Sequence, residues 1–355
     1  LRRDEALYEG QEFYACILDE AQAIKNHTTQ KYKAVCKVRS RVRFALTGTP
    51  VENRLGELWS IFSFLMPGYL PPYKSFCSRF EKPIVQEEDQ TAVRRLNQLT
   101  GPFILRRMKS DVLKELPPKT ENVYRIELEE EQRKLYLAAV VDAREKLQAA
   151  KPEDKMAVFA VLMRLREICC DPRLIADNWE GGSAKLDACV ELVSSAVEGG
   201  HRILLFSQFT SMLELLAKRL DAEGISHFTL QGSTPKPVRA ELVRRFNGGE
   251  VSVFLISLRA GGTGLNLTAA DIVIHYDPWW NVAAQNQATD RAYRIGQQNP
   301  VQVYKLIAQD TIEEKIVELQ QAKQSLADTV TGTADGAILS MRPDELLQLL
   351  EGSEL

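Results

Sequence analysis

The sequence predicts an α/β protein built on parallel sheets and interrupted by a helical block. Three observations predict it. Short apolar runs of strand length alternate with amphipathic stretches of helix length at both ends of the chain, the pattern of strand–helix–strand crossovers. The middle carries two long stretches, Glu129–Ala149 and Glu153–Cys169, whose apolar residues recur at helical spacing. The chain has 355 residues, and a prior of roughly 150 residues per domain favours two domains.

Taken in order, Phe13–Leu18 (FYACIL) reads as a buried strand and Thr28–Val38 as a helix. Arg43–Thr47 reads as a second strand, and Leu55–Leu65 as a helix stopped by Pro67, Pro71 and Pro72. After the helical block, the turn-rich stretch Asp177-Asn178-Trp179-Glu180-Gly181-Gly182-Ser183 marks a boundary. Alternation then resumes. Strands are expected at Ile203–Ser207, His227–Leu230, Ser252–Ser257, Ile272–His275 and Val301–Ile307. Helices are expected at Ala184–Val197, Met212–Ala222, Pro237–Phe246, Val282–Tyr293 and Thr311–Leu326. That is a complete doubly wound domain. A short amphipathic helix, Asp344–Leu350, closes the chain and is expected to pack on a neighbouring element.

Composition excludes several classes. With 45% hydrophobic and 26% charged residues the chain is neither disordered nor collagen-like. No apolar run approaches the roughly 18 residues that a membrane span needs, and the charged N-terminus has no secretory apolar core. The formal net charge of −3 conceals an uneven spread. Residues 1–127 carry 21 basic against 16 acidic side chains, whereas residues 326–355 carry 1 against 6. Lys25 to Arg43 holds seven basic residues and no acid, which suits either a nucleic-acid track or a solvated helix face. The six cysteines form no CxxC pair and the four histidines are scattered, so reduced thiols and structural histidines are expected.

Four motifs carry chemistry. Leu18-Asp19-Glu20-Ala21-Gln22 puts two carboxylates at the end of the first strand, where α/β folds bind ligands. One acid can hold Mg²⁺ while a second group orients an attacking water. Leu46-Thr47-Gly48-Thr49-Pro50 follows the second strand, and its hydroxyls could bond those carboxylates. Ser257 to Asn266 (SLRAGGTGLN) is a glycine-rich turn whose backbone N–H groups could approach a phosphate. It fits neither G-x-G-x-x-G nor G-x-x-x-x-G-K-[ST], and neither pattern of phosphate loop occurs elsewhere. Arg291 and Arg294, three apart on the expected helix, would project from one face and could clamp a phosphoryl group. Taken singly, each motif also has a plain structural reading: a strand end, an ordinary turn, a surface ion pair with Asp290.

Together the motifs resemble the Swi/Snf-type DNA-dependent ATPases of the second helicase superfamily. LDEAQAIKN, ALTGTPVENRLGELWSIFSFLMPGYL, PFILRRMKSDVLKELPPK, LRLREICCDPRLI, RILLFSQFTSML, LQGST, SLRAGGTGLNLTAADIVIHYDPWWN and QATDRAYRIGQ occur in the family's order over about residues 13–330. The resemblance implies two RecA-like parallel-sheet lobes, the first incomplete, with a helical insertion between them. The expected domains are residues 1–118 (part of the first lobe), 119–182 (insertion and linker), 183–327 (second lobe) and 328–355 (tail).

The resemblance also implies roles. Asp19 would bind Mg²⁺ and Glu20 would be the general base in ATP hydrolysis, with Arg291 and Arg294 as arginine fingers reaching across the interlobe cleft. Gln22, Thr47, Gly48, Thr49, Gly262, Gly264 and Gln287 would bind or sense nucleotide. Lys25, Asn26, Ser207, Gln208, Gly232, Ser233, Thr263, Asn266, Trp279, Trp280 and Asn281 would follow double-stranded DNA through its phosphates, a sequence-tolerant mode. Core packing is the competing account of Trp279 and Trp280. A soluble monomer at the nucleoid of a bacterial cytoplasm is expected, with a nucleoprotein or RNA polymerase partner left open. Three departures stand out: Gln22 in place of the commoner His, Val282 where the pattern has proline, and a chain that starts just upstream of the carboxylate strand. From the last we expect a portion of a longer ATPase, inactive alone. The alternatives are an RNA-directed helicase and a non-catalytic DNA-binding or docking module.

Overall fold

The computed structural model describes residues 5–8, 10–48, 55–87, 89–105, 107, 113, 115–151, 154–176, 178–261, 264–320 and 343–351. Two compact units divide the chain, Leu1–Arg107 with Gln320–Ala337, and Met108–Leu319 with Ile338–Leu355. Among the described residues no helix is long and apolar enough to cross a membrane.

In the first unit, β1 (Glu12–Leu18) and β2 (Arg39–Ala45) pair in parallel, with Phe13 opposite Ser40 and Leu18 opposite Ala45. The crossover runs through α1 (Gln30–Cys36), whose start is capped by the Thr29 hydroxyl accepting from the Tyr32 N–H. Helix α2 (Leu55–Leu65) follows β2, and its Phe64 meets Ile24 and Val35 over Cys16 and Leu18 of β1. A second cluster joins Leu55, Leu58 and Phe62 of α2 to Leu70, Phe76 and Phe80 of the segment that follows, and to Leu96 of α3 (Gln90–Thr100). The second strand starts at Arg39, four residues before the expected Arg43. Its Arg-x-Arg alternation masked the apolar pattern, because Arg39 and Arg41 are exposed. Only Arg43 turns inward, donating to the carbonyls of Phe64 (2.7 Å) and Val38 (3.0 Å).

The second unit is built on a six-stranded parallel sheet. Its strands are β3 (Lys119–Ile126), β4 (Ile203–Ser207), β5 (His227–Leu230), β6 (Val253–Ser257), β7 (Ile272–His275) and β8 (Val301–Ala308). Their order across the sheet is β3-β8-β7-β4-β6-β5. Successive residues of the central strands point to opposite faces. Ile203, Leu205, Val253, Leu255, Ile272 and Ile274 therefore meet α6 (Ala184–Glu198) and α7 (Thr210–Ala222). Leu204, Phe206, Phe254, Ile256 and Val273 meet α8 (Lys236–Asn247) and α9 (Val282–Thr289) on the other face. Burial of both faces explains why these strands are continuous apolar runs.

Two expectations need correction here. The stretch from residue 119, expected to be helical insertion or linker, opens with β3, an edge strand whose polar residues Lys119, Glu121 and Arg125 hid it. Helix α9 ends at Thr289, not Tyr293. No glycine or proline stops it there. The carbonyl of Arg291, which would serve a continuing helix, instead accepts from the Leu267 N–H at 3.0 Å. The helical block itself is as expected: α4 (Glu130–Ala149) and α5 (Lys155–Cys170) pack through Tyr136, Val140, Leu147, Val158, Leu162 and Leu165. The neighbour of the closing helix α10 (Pro343–Glu351) is this pair, which receives Leu346 and Leu350. Of the expected helix Thr311–Leu326, residues 312–320 are helical and the rest lie outside the described residues.

Two buried groups set measurable stability. Lys185 Nζ meets Glu313 Oε2 at 2.5 Å with both side chains fully buried, and the same oxygen accepts from the Ala308 N–H at 2.8 Å. Lys185→Met leaves a buried carboxylate unpaired and is expected to destabilise by about 3–5 kcal/mol in denaturant melts, whereas Lys185→Met with Glu313→Leu recovers most of the loss. His275 is buried against Thr289 (Nε2 to Oγ1, 2.9 Å), and burial, with the Lys305 charge, pushes its imidazole down to about 3. Unfolded histidine titrates at about 6.5. Its contribution is thus present above that pH and is lost as pH falls toward 3, with a slope of about 1.4 kcal/mol per unit. His275→Gln should flatten the stability profile between pH 6.5 and 5 by about 2 kcal/mol, measured by urea unfolding.

Candidate functional site

The first-unit site forms where β1 and β2 end side by side. Leu46 N–H donates to the Leu18 carbonyl (2.7 Å) and Ala21 N–H to the Leu46 carbonyl (3.0 Å), tying the two strand exits together. Between these ties Glu20 takes a left-handed backbone conformation, φ 49° and ψ 52°. A side chain with a Cβ rarely adopts it, at a cost of about 1 kcal/mol or more, and such strain concentrates at functional positions. The Glu20 N–H donates to Asp19 Oδ1 at 2.9 Å, which helps hold the turn. Asp19 and Glu20 are both exposed at the strand ends.

Gln22 joins the two motifs. Its Nε2 donates to Glu20 Oε2 at 2.6 Å and its Oε1 accepts from Thr47 Oγ1 at 2.6 Å. A glutamine amide has a donor and an acceptor side, so it relays between a carboxylate and a hydroxyl. The departure at Gln22 is thus accommodated. Gly48 is exposed beside this link, and Thr49 lies outside the described residues. Among the described residues no three His, Cys, Asp or Glu side chains gather to hold a metal alone. A lone carboxylate pair instead suits Mg²⁺, which is held by one or two carboxylates together with substrate phosphates and water.

Nearby, Lys25 Nζ lies 3.7 Å from Glu57 Oε1, and exposed Asn26 accepts from the N–H (2.9 Å) and hydroxyl (2.7 Å) of Thr28. Lys31, Lys33, Lys37, Arg39 and Arg41 of the basic block are exposed. An exposed cationic surface is what phosphate tracking requires.

In the second unit the motif residues collect at the C-terminal ends of β4, β5, β6 and β7, the side of a parallel sheet on which ligands sit. Exposed there are Gly232, Ser233 and Asn266. Gly264 has φ 27°, a glycine-favouring value, while Gly262 and Thr263 lie outside the described residues. The glycine turn is held against the arginine motif, since Arg294 Nη1 donates to the Leu265 carbonyl at 3.3 Å and Leu267 bonds the Arg291 backbone. Arg291 and Arg294 therefore belong to a turn after α9, which corrects the expectation of one helical face. Arg291 is buried and Arg294 half-buried, as is Gln287 on α9.

Four residues expected on DNA also make internal contacts. Ser207 is fully buried, and its hydroxyl donates to Asp277 Oδ1 at 2.7 Å. Trp280 is buried among the helices of the α4–α5 pair, and Trp279 packs beside it. Asn281 accepts from the Ala284 N–H at 2.6 Å and so caps α9, which fixes that turn without the usual proline. Gln208 stays half-buried with its N–H on Asp277 Oδ1 at 3.2 Å. The sequence reading missed Arg166 and Asp277 altogether. The available signal was a charged residue inside the apolar stripe Leu162–Leu165–Cys169.

Residues 1–174 match the SNF2-related domain and residues 184–296 the helicase conserved C-terminal domain. An uncharacterised ATP-dependent helicase of Mycoplasma pneumoniae is 40% identical over 99% of this chain and 34% of its own length. The mouse SWI/SNF-related matrix-associated actin-dependent regulator of chromatin subfamily A member 1 is 37% identical, over 94% and 33%. The chain thus spans about a third of the length of the curated relatives it matches. Among solved structures, the Sulfolobus solfataricus SWI2/SNF2 ATPase core in complex with double-stranded DNA is 36% identical, with TM-score 0.53, covering 93% of this chain and 72% of that one. With both domain models matched in order, and most of a solved core covered at that identity, the chain belongs to the SWI2/SNF2 family of helicase-related ATPases.

Proposed function

We propose that the chain is part of the motor of an ATP-dependent double-stranded DNA translocase, with the two units as parts of its RecA-like lobes. The observation that supports it most is the Glu20–Gln22–Thr47 link, which connects a carboxylate pair to a second motif by two 2.6 Å hydrogen bonds. Asp19 would hold Mg²⁺, and Glu20 would take the proton of the water attacking the γ-phosphate. Gln22 would pass the state of Glu20 to Thr47, Gly48 and Thr49, and Gly262, Gly264 and Gln287 would sense nucleotide from the second unit. Arg291 and Arg294 would neutralise charge on the transferring phosphoryl group. The 355 residues contain no G-x-x-x-x-G-K-[ST] loop, so turnover is assigned to the full-length protein and little is expected of this chain alone. A bacterial nucleoid is the proposed place of work.

DNA is the proposed track. Lys25, Asn26, Gln208, Gly232, Ser233, Thr263, Asn266 and the Trp279–Asn281 loop would follow its phosphates, with Ser207 acting through Asp277. Phosphate contacts carry no base information, so movement would be sequence-tolerant.

Turnover of the full-length protein is expected to rise with double-stranded DNA at low salt, and an equal or greater rise with RNA would refute the DNA assignment. Glu20→Gln should lower turnover by about 10²-fold or more while ATP binding, read by a fluorescent nucleotide, stays within a few-fold. Affinity for unrelated duplexes should be alike and fall steeply between 50 and 200 mM salt, on the order of 10³-fold if about six phosphates are contacted.

A further inference from the structure

Arg166 is an unusual residue to find where it is. It sits on α5 with its side chain fully buried. Its Nη2 donates to Asp277 Oδ2 at 3.2 Å and to the Pro278 carbonyl at 2.5 Å. The guanidinium lies 4.3 Å from the centre of the Trp280 ring and 5.6 Å from that of Phe209. Its Nε and Nη1 are buried without a hydrogen-bond partner. A buried ion pair with unfilled donors contributes little net stability, because desolvation offsets the attraction. What it supplies is geometry.

The geometry runs through one carboxylate. Asp277 Oδ1 accepts from the Ser207 hydroxyl (2.7 Å) and the Gln208 N–H (3.2 Å), and Ser207 Oγ in turn accepts from the Phe209 N–H (3.2 Å). The end of β4, the loop after β7 and the helical pair therefore converge on Asp277 and Arg166. The same loop continues through Trp279 and Trp280 to Asn281, which caps α9. Eight residues of helix then lead to the turn that carries Arg291 and Arg294.

We infer that Arg166 is a positioning residue: paired with Asp277, it fixes the 277–281 loop and thereby couples DNA bound along that loop to the arginines at the far end of α9. The coupling half of this inference rests on the translocase reading. An ammonium at this position keeps the charge but cannot serve Asp277, the Pro278 carbonyl and the Trp280 face at once. Asp277→Asn keeps the shape and removes the charge that Arg166 faces.

The test uses the full-length protein carrying Arg166→Lys, Arg166→Met or Asp277→Asn, and the lysine variant serves if the methionine one does not fold. Amide hydrogen exchange in peptides covering 204–211 and 276–285 is expected to quicken by tenfold or more, with Val253–Ser257 unchanged. DNA-stimulated ATP turnover is expected to fall at least tenfold in all three, while in the two Arg166 variants turnover without DNA stays within twofold. Unchanged exchange would overturn the inference, as would full DNA stimulation despite faster exchange. A parallel fall of basal and stimulated turnover with a lowered melting temperature would reduce Arg166 to a packing role and overturn it too. If wild-type turnover ignores DNA, the translocase reading and with it the coupling fail, and the exchange measurement still decides whether Arg166 holds the loop.

Discussion

A parallel sheet covered on both faces is the constraint on which the larger unit depends. With helices on either side, the central strands have no wet face, so every residue from Ile203 to Phe206 and from Val253 to Ile256 is apolar and buried. Polar chemistry is thereby expelled to the strand ends. Ser207, Ser257, His275 and Asp277 all lie at or just past those ends, and each is buried enough that its partners become obligatory. The sheet thus does two things at once. It supplies the hydrophobic burial, and it sets a row of polar groups along one edge of the core, where loops can present them.

The buried charges follow the same logic. Lys185 with Glu313 ties the first helix of the doubly wound region to the segment after its last strand, and Arg166 with Asp277 ties the helical pair to the loop after β7. Neither pair is cheap, since removing ions from water costs several kcal/mol each. Both sit where three elements meet, so their directional bonds fix relations that non-directional apolar contacts leave loose. Cys169, Cys170 and Cys189 lie around Lys185, and burial raises their thiols, with Cys189 pushed up to about 12. Such thiols are packing groups, poor nucleophiles at neutral pH.

The smaller unit obeys a different constraint. Its two strands are covered on one face by α1 and α2, and Tyr14, Ile17, Val42 and Phe44 are exposed. What is organised there is the pair of strand exits. Backbone bonds between residues 18, 21 and 46 bring two motifs 28 residues apart into contact, and the left-handed Glu20 aims its carboxylate at Gln22.

Sequence by itself determined the α/β class and most of the element bounds. It could do so because strand burial and helix amphipathicity are written in short-range periodicity. Leu55–Leu65, Ile203–Ser207, His227–Leu230 and Ile272–His275 are where periodicity put them. Tertiary structure alone decided the rest. It ended α9 at Thr289 by diverting the Arg291 carbonyl to Leu267, and it made an edge strand of Lys119–Ile126 by pairing it with β8. It also turned Ser207 and Trp280 inward and joined Arg166 to Asp277 across 111 residues. Each of these depends on a partner distant in the chain, and no local window contains a partner that only folding brings near.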